Sequence, residues 1–263
     1  MAFDPKEATE AYINGLGEDA LAQAAAYTSG NHWLILWGLL VSGLVAYLIV
    51  RSGLLVRISN SMAQRSFFTR CFSVCAAFIV VSSIVELPWS LYANWWRETQ
   101  YGRTSQPLSD YLGQSGIALA TNAILMGLFL TGVYALIRRM GKLWWLWSGG
   151  LTASFFAALL LLGPIFIEPL FNDYQPVPEG EVKEAVEAMA IEANIPLDRI
   201  FMYDGSRQSN NFTANVSGIG ASARIAISDV ALGEATLDEV KAVTGHEVGH
   251  YVLGHVWDIV GVL

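Results

Sequence analysis

A mainly α, multi-span transmembrane helical protein with a small α+β segment at its C-terminal end is the fold class this sequence predicts. Three observations predict it. Hydrophobic residues make up 54% of the 263 and charged residues only 14%, against roughly 25% charged in ordinary soluble domains. Four apolar stretches, Trp33 to Val50, Phe72 to Tyr92, Ile117 to Ile137 and Leu143 to Ile167, are long enough to cross a bilayer core. Beyond Ile167 the chain turns polar and is punctuated by proline and glycine, as a globular segment requires.

Residues 1–32 read as a polar, acidic N-terminal segment in which Asp4 and Pro5 start a surface helix running toward Ala11. This segment lacks the basic n-region of a secretory signal peptide. Residues 33–168 hold the four predicted spans, with Trp33, Trp37, Trp89, Trp95, Trp96, Trp144, Trp145 and Trp147 gathered at their edges like interfacial belts. Cys71 and Cys75, spaced i,i+4, read as packing residues, and Gly149, Gly150 and Ala153 suit close helix approach. Glu86 near the end of the second span is either interfacial or functional by its depth, and Asn122 can bond to a neighbouring helix.

Arg51, Arg57, Arg65 and Arg70 follow span one, and Arg138, Arg139 and Lys142 follow span three. By the positive-inside rule those two loops are cytoplasmic, which puts the N-terminus and the C-terminal segment on the opposite side. The net charge of −8, with no basic cluster interleaved with aromatics outside the short loops, gives a nucleic-acid partner no support.

Residues 169–263 form the last segment. Asn172, Asp173, Pro176, Pro178 and Gly180 make a turn-rich linker, and a helix is expected from Glu181 to Asn194 with Val182, Val186, Met189, Ala190 and Ala193 on its buried face. Short strand-like runs follow at Arg199 to Tyr203, Ala214 to Ser217 and Arg224 to Ser228, with glycines 205, 218 and 220 as turns. Arg224 is expected to pair with an acidic residue such as Asp229, or to meet a substrate carboxylate. Tyr251 to Leu263 looks like a fifth span cut short.

His246-Glu247-Val248-Gly249-His250 gives this segment its chemistry. Residues i and i+4 share a helix face, so His246 and His250 can grip one Zn²⁺ while Glu247 projects beside it as general base and then acid. Only four histidines occur in the chain, and His246, His250 and His255 fall within ten positions. Thr236 and Glu239 have capping-box spacing, and Leu237, Val240 and Val243 lead an apolar stripe into the motif. The segment is thus expected to be a zincin-like zinc metalloprotease unit binding one zinc ion. The alternative is an ordinary exposed helix decorated by two histidines. Ala214, Asn215, Val216, Ser217 and Gly218 are the candidate edge strand on which an extended peptide could lie, with a plain loop as the competing reading.

The chain resembles the type I CAAX prenyl proteases, integral-membrane zinc metalloproteases that include bacterial members. The resemblance rests on Leu87-Pro88-Trp89-Ser90-Leu91-Tyr92; Glu168-Pro169-Leu170-Phe171-Asn172 with Pro176 and Gly180; Ala214-Asn215-Val216-Ser217-Gly218 with Arg224-Ile225 and Asp229; and Gly245 through His250 with His255. It implies a ring of membrane helices around a water-filled chamber with zinc chemistry on its wall, and CAAX processing as the activity of eukaryotic members.

The family completes its zinc site with a glutamate in a later Glu-x-x-x-Asp helix, and this chain ends first. After His250 the only acidic side chain is Asp258, eight residues on along the same expected helix. His255 matches a family histidine but is not expected to be a ligand. Thr213 stands where many eukaryotic members have asparagine, and the zinc side drawn for eukaryotic members conflicts with the Arg and Lys count.

The function expected is peptide-bond hydrolysis by a membrane-embedded zinc metalloendopeptidase in a multi-pass protein of the bacterial inner membrane. Its partners would be the lipid bilayer and a peptide or protein substrate that is membrane-associated or lipidated. The alternative is a catalytically inactive truncated fragment or membrane scaffold lacking the third zinc ligand.

Overall fold

The computed structural model describes residues 4–218, 223–233 and 235–262. Gly220, expected as a turn, lies outside them. Helix α1 (Pro5–Gly15) starts where Asp4 and Pro5 predict: the Asp4 carboxylate accepts the Lys6 N–H at 2.9 Å and proline occupies the first turn. After Gly17, at φ 82°, α2 runs unbroken from Glu18 to Arg51, so the polar residues before Trp33 belong to the same rod as the first apolar stretch. Gly53 at φ 70° turns the chain into the short α3 (Leu54–Ser61).

Helix α4 (Phe67–Ser90) is capped by Ser66, whose hydroxyl accepts the Thr69 N–H at 3.2 Å. Pro88 lies inside its last turn, where it has no N–H to give the carbonyl one turn back. Immediately beyond, the helix widens to π geometry over Leu91–Trp96 before α5 (Arg97–Gln100). Helices α6 (Leu108–Arg139) and α7 (Trp144–Phe166) complete the set. Four helical rods, Glu18–Arg51, Phe67–Gln100, Leu108–Arg139 and Gly141–Phe166, are long and apolar enough to cross a membrane.

Small residues let these helices approach. A Cβ on Gly127 of α6 would meet Phe72 of α4 at 2.9 Å, and one on Gly132 would meet Leu151 of α7 at 2.9 Å. Phe129 and Phe155 stack with centroids 4.6 Å apart across α6 and α7.

The polar start of α2 is held by a charged cluster. Arg97 is only 6% exposed. Its guanidinium donates to the Tyr27 carbonyl at 2.6 Å and to Asn31 Oδ1 at 2.7 Å, and the Tyr27 hydroxyl donates to Glu98 at 3.0 Å. A Cβ on Gly30 would lie 2.7 Å from an Arg97 nitrogen, so glycine there admits the guanidinium. Long-range hydrogen bonds of this kind are invisible to hydropathy, so the sequence does not show that the helix of the first apolar stretch extends back to Glu18.

After Phe166 the α+β segment builds a four-stranded sheet in the order β1-β2-β4-β3, from Tyr174–Pro176, Ile200–Tyr203, Ala214–Ser217 and Arg224–Ser228 in chain order. Strands β2 and β4 are parallel; β1 pairs with β2, and β3 with β4, antiparallel. The central strand β4 is buried on both faces, with Ile225, Ala226, Ile227 and Ser228 each at most 1% exposed, as a continuous apolar run predicts. Helices α8 (Glu181–Glu192) and α10 (Leu237–Val252) cover the sheet, closing a core that contains Val186, Ala190, Ile200, Ile225, Ile227, Val240 and Val248. The short α9 (Val230–Gly233) follows β4.

Two expectations need correction. Helix α10 ends at Val252: Gly254 adopts φ 73°, and a separate α11 (His255–Val262) follows, so Asp258 is not on the helix of His250. Arg224 does pair with an acidic residue, but the partner is Glu168 at 2.5 Å and not Asp229. Arg224 begins β4 and Asp229 follows its end, five extended residues or roughly 17 Å away. Asp229 instead accepts the Ser206 N–H at 2.7 Å and the Ser206 hydroxyl at 2.6 Å.

The α+β segment is stitched to the loop before α6 and to the first turn of α6. Asn210 donates its backbone N–H to the Arg103 carbonyl and its side-chain amide to the Gly102 carbonyl, both at 2.9 Å. Thr104 donates its hydroxyl to the Gln208 carbonyl at 2.8 Å, and Arg207 grips Asp110 with its Nε 3.0 Å from Oδ1.

Candidate active site

Helix α10 forms where its capping box dictates. The Thr236 hydroxyl accepts the Glu239 N–H at 3.3 Å while the Glu239 carboxylate accepts the Thr236 N–H at 2.8 Å, satisfying two otherwise orphaned donors. The helix buries Val240, Thr244 and Val248 at i,i+4 spacing against the sheet and α8. His246 and His250 therefore stand on the opposite, exposed side, with Glu247 half-buried between them.

The two imidazoles converge. Nε2 of His246 and Nε2 of His250 are 2.9 Å apart, with ring planes 85° to one another. Two nitrogens aimed at one point across a helical turn form the donor pair that a tetrahedral zinc site uses, so the residues present fit the metal to that extent. Among the described residues, no group of three or more histidine, cysteine, aspartate or glutamate side chains is placed to hold an ion.

The step at Gly254 brings His255 back onto the site from behind: its Nδ1 lies 2.6 Å from Nδ1 of His250. That contact uses the nitrogen of His250 pointing away from His246. His255 is thereby a partner of the ring rather than a third member of the converging pair. A partner at Nδ1 orients the His250 ring and leaves Nε2 as the nitrogen that faces His246.

Strand β3 lies alongside α10, at the edge of the sheet as the sequence predicts. Its partner registers are Ala214 with Ile227, Asn215 with Ala226, Val216 with Ile225 and Ser217 with Arg224. The preceding pair, Thr213 and Ser228, is hydrogen-bonded, since the Ser228 N–H donates to the Thr213 carbonyl at 2.9 Å. Alternation along an antiparallel ladder then turns the N–H and C=O of Ala214 and Val216 toward the open edge. Gly218 ends the strand at φ 82°. It borders a cavity of about 420 Å³ lined also by Tyr251, Val252, Gly254 and Trp257, one turn beyond His250.

Residues outside the sequence-predicted set hold this arrangement in place. Glu168 accepts from Arg224 and from the Tyr174 hydroxyl at 2.7 Å, and the Arg224 guanidinium lies 4.5 Å from the centroid of the Tyr174 ring. Burial first, and the neighbouring Glu168 carboxylate second, push the Tyr174 phenol well above its usual pKa, which keeps it a donor. Sequence reasoning placed Tyr174 in a linker; a three-residue strand containing proline gives too little pattern to find it. Glu86 and Asn122, singled out by depth, sit with Ser83, Ser90 and Ser115 around one cavity of about 530 Å³ between α4 and α6. They do not join the histidine site.

Long apolar helices followed by an exposed histidine pair beside an open sheet edge define an integral-membrane, multi-pass protein of the HExxH metallopeptidase class. The comparisons agree. A family described as CAAX prenyl protease N-terminal, five membrane helices, matches residues 5–173, and one described as peptidase family M48 matches residues 176–262. The chain belongs to peptidase family M48, with the membrane region of the CAAX prenyl protease type.

It is 28% identical over 239 residues to a Bacillus subtilis (strain 168) protein named uncharacterized metalloprotease YhfN, covering 90% of this chain and 56% of that protein. It is 28% identical over 245 residues to CAAX prenyl protease 1 of Saccharomyces cerevisiae, covering 91% of this chain and 51% of that protein. The crystal structure of S. mikatae Ste24p shares the fold, with a TM-score of 0.75 at 22% identity over 89% of this chain and 57% of that one. The chain thus spans about half the length of these curated relatives.

Proposed function

We propose that this chain supplies the membrane-spanning and metal-gripping parts of a membrane-embedded zinc metalloendopeptidase. The observation that carries the proposal is the convergence of His246 and His250 Nε2 at 2.9 Å on a helix lying beside the free edge of β3. His246 and His250 would hold one Zn²⁺. Zinc bound there supplies Lewis acidity, which lowers the pKa of a coordinated water to about 7.

The chain's own residues do the rest. Glu247, half-buried between the two histidines, accepts the proton from the attacking water and hands it to the departing amine. Ala214 and Val216 offer main-chain donors and acceptors to an extended peptide, with Asn215, Ser217 and Gly218 completing the track. The cavity beside Gly218 and Trp257 accepts one substrate side chain. His255 orients the His250 ring so that Nε2 faces the metal position.

Relatives named CAAX prenyl proteases support a substrate that is a membrane-associated or lipidated polypeptide, and the apolar helices support a site at a bilayer surface, with the bacterial inner membrane as the proposed compartment. A second reading, an inactive membrane scaffold, draws on the two-histidine donor set found among the described residues. Metal analysis separates the two, because tightly held stoichiometric zinc counts against the scaffold. In the full-length gene product, Glu247→Gln should abolish peptide cleavage while zinc content is retained. Undiminished cleavage would end the peptidase assignment.

A further inference from the structure

The mouth of a groove between α3, α4 and α6 carries two arginines that the peptidase reading does not use. The groove encloses about 660 Å³ and is lined by Arg70, Cys71, Val74 and Phe78 of α4 and by Leu130 and Arg138 of α6, among others. Its volume lies within the range of about 300–1,000 Å³ typical of small-molecule sites.

The register of the two helices gives the groove a polarity. They run antiparallel, and Arg70 precedes Phe78 by the same eight residues that separate Leu130 from Arg138. Both arginines therefore sit at one level, and both apolar residues lie about 12 Å deeper along the helix axes at 1.5 Å per residue. The Arg138 guanidinium rests over the Phe67 ring, 4.7 Å from its centroid, which holds it at the groove mouth.

The segments around this end carry no carboxylate side chain to neutralise it. Residues 51–85 and 111–167 contain no aspartate or glutamate, although Arg51, Arg57, Arg65, Arg70, Arg138, Arg139 and Lys142 all lie within them. Among the described residues, neither Arg70 nor Arg138 takes part in an ion pair. The cavity at the other end of the same helix pair is lined instead by Glu86, Asn122 and serines, so the two differ in chemistry as well as place.

We propose that this groove binds one anionic phospholipid, with its phosphate between Arg70 and Arg138 and an acyl chain lying along Val74, Phe78 and Leu130. Charge complementarity selects the anionic headgroup, since each arginine near a lipid phosphate strengthens binding about fivefold. The apolar shaft selects a lipid over a free phosphate ion. The proposal rests on the membrane-spanning architecture and is independent of the histidine site.

The test uses the full chain in vesicles of phosphatidylcholine with and without phosphatidylglycerol, followed by native mass spectrometry from a mild neutral detergent. One phosphatidylglycerol should stay bound per chain. Arg70→Gln with Arg138→Gln should weaken its retention tenfold or more, while Arg51→Gln with Arg65→Gln, which removes equal charge outside the groove, should not. Equal loss in both variants would show diffuse attraction and overturn the site. Should the groove variant fail to fold, Val74→Trp fills the shaft and keeps both arginines; continued retention by that variant overturns the proposal.

A second readout is alkylation of Cys71 by N-ethylmaleimide in a Cys75→Ser background. Phosphatidylglycerol should slow it, and inorganic phosphate added to phosphatidylcholine vesicles should not. Equal protection by inorganic phosphate would overturn the lipid assignment.

Discussion

Arg224 at the start of β4 reaches Glu168, the residue where the last membrane helix gives way to the α+β segment, at 2.5 Å. The arginine side chain is 11% exposed and the glutamate 34%. A strand in the sheet is thereby tied to the end of the membrane region, and Tyr174 donates to the same carboxylate from β1. Removing the cation leaves a half-buried carboxylate with only the phenol as partner. Arg224→Met should destabilise the α+β segment by about 2 kcal/mol, the size of a lost hydrogen bond to a charged group. Urea unfolding of the full chain in detergent measures it, and a change within error would show the pair to be ornamental.

His255 touches His250 from the side away from His246. Its replacement by phenylalanine should lower zinc affinity by about 10- to 100-fold, the usual cost of losing the group that orients a ligating histidine. Competition against a chromophoric chelator reads this without any peptide substrate. Unaltered affinity would show that the ring of His250 is oriented by other means.

Val216 turns its N–H to the open edge of β3, so proline should be tolerated there by the fold and not by the substrate. Val216→Pro is expected to unfold at a midpoint close to that of Val216→Ala, since either loses the valine's packing against the core, and to cut kcat/KM about tenfold relative to Val216→Ala, one hydrogen bond's worth. Collapse of the fold would instead place that N–H inside the β3–β4 ladder.

Hydrogen bonds from Thr236, backbone first and side chain second, hold the Glu239 carboxyl below its ordinary range. A folded-state pKa depressed in this way makes the capping box fully effective above the unfolded value of about 4.3, and its contribution is lost as pH falls through the lower folded value. Thr236→Ala should cost about 1 kcal/mol at neutral pH and flatten this acid dependence. Thermal midpoints of the two proteins compared from neutral to acid pH should converge; parallel curves would refute the coupling.

Local pattern made part of this molecule readable and long-range contact hid the rest. The capping box, the i,i+4 histidines and the edge strand depend on residues a few positions apart, and their periodicities survive in one dimension. The N-terminal half of α2 is held by Arg97 reaching back to Tyr27 and Asn31, and the partner of Arg224 lies 56 residues earlier in the chain. No window along the sequence contains either pair. Strand β1 escaped because Pro176 reads as a turn, and its pairing with Phe201 in β2 supplies the missing signal only in three dimensions.

The left-handed step at Gly254 decides what the spacing between His250 and His255 means. On an uninterrupted helix five residues advance the azimuth by about 140° from the starting side chain, carrying the later ring away from the earlier one. A backbone torsion of +73° reverses that drift and folds the ring back. Because side chains other than glycine resist this torsion by roughly 1 kcal/mol or more, the dipeptide Gly254-His255 works as a single unit: the imidazole is useful only with the bend that precedes it.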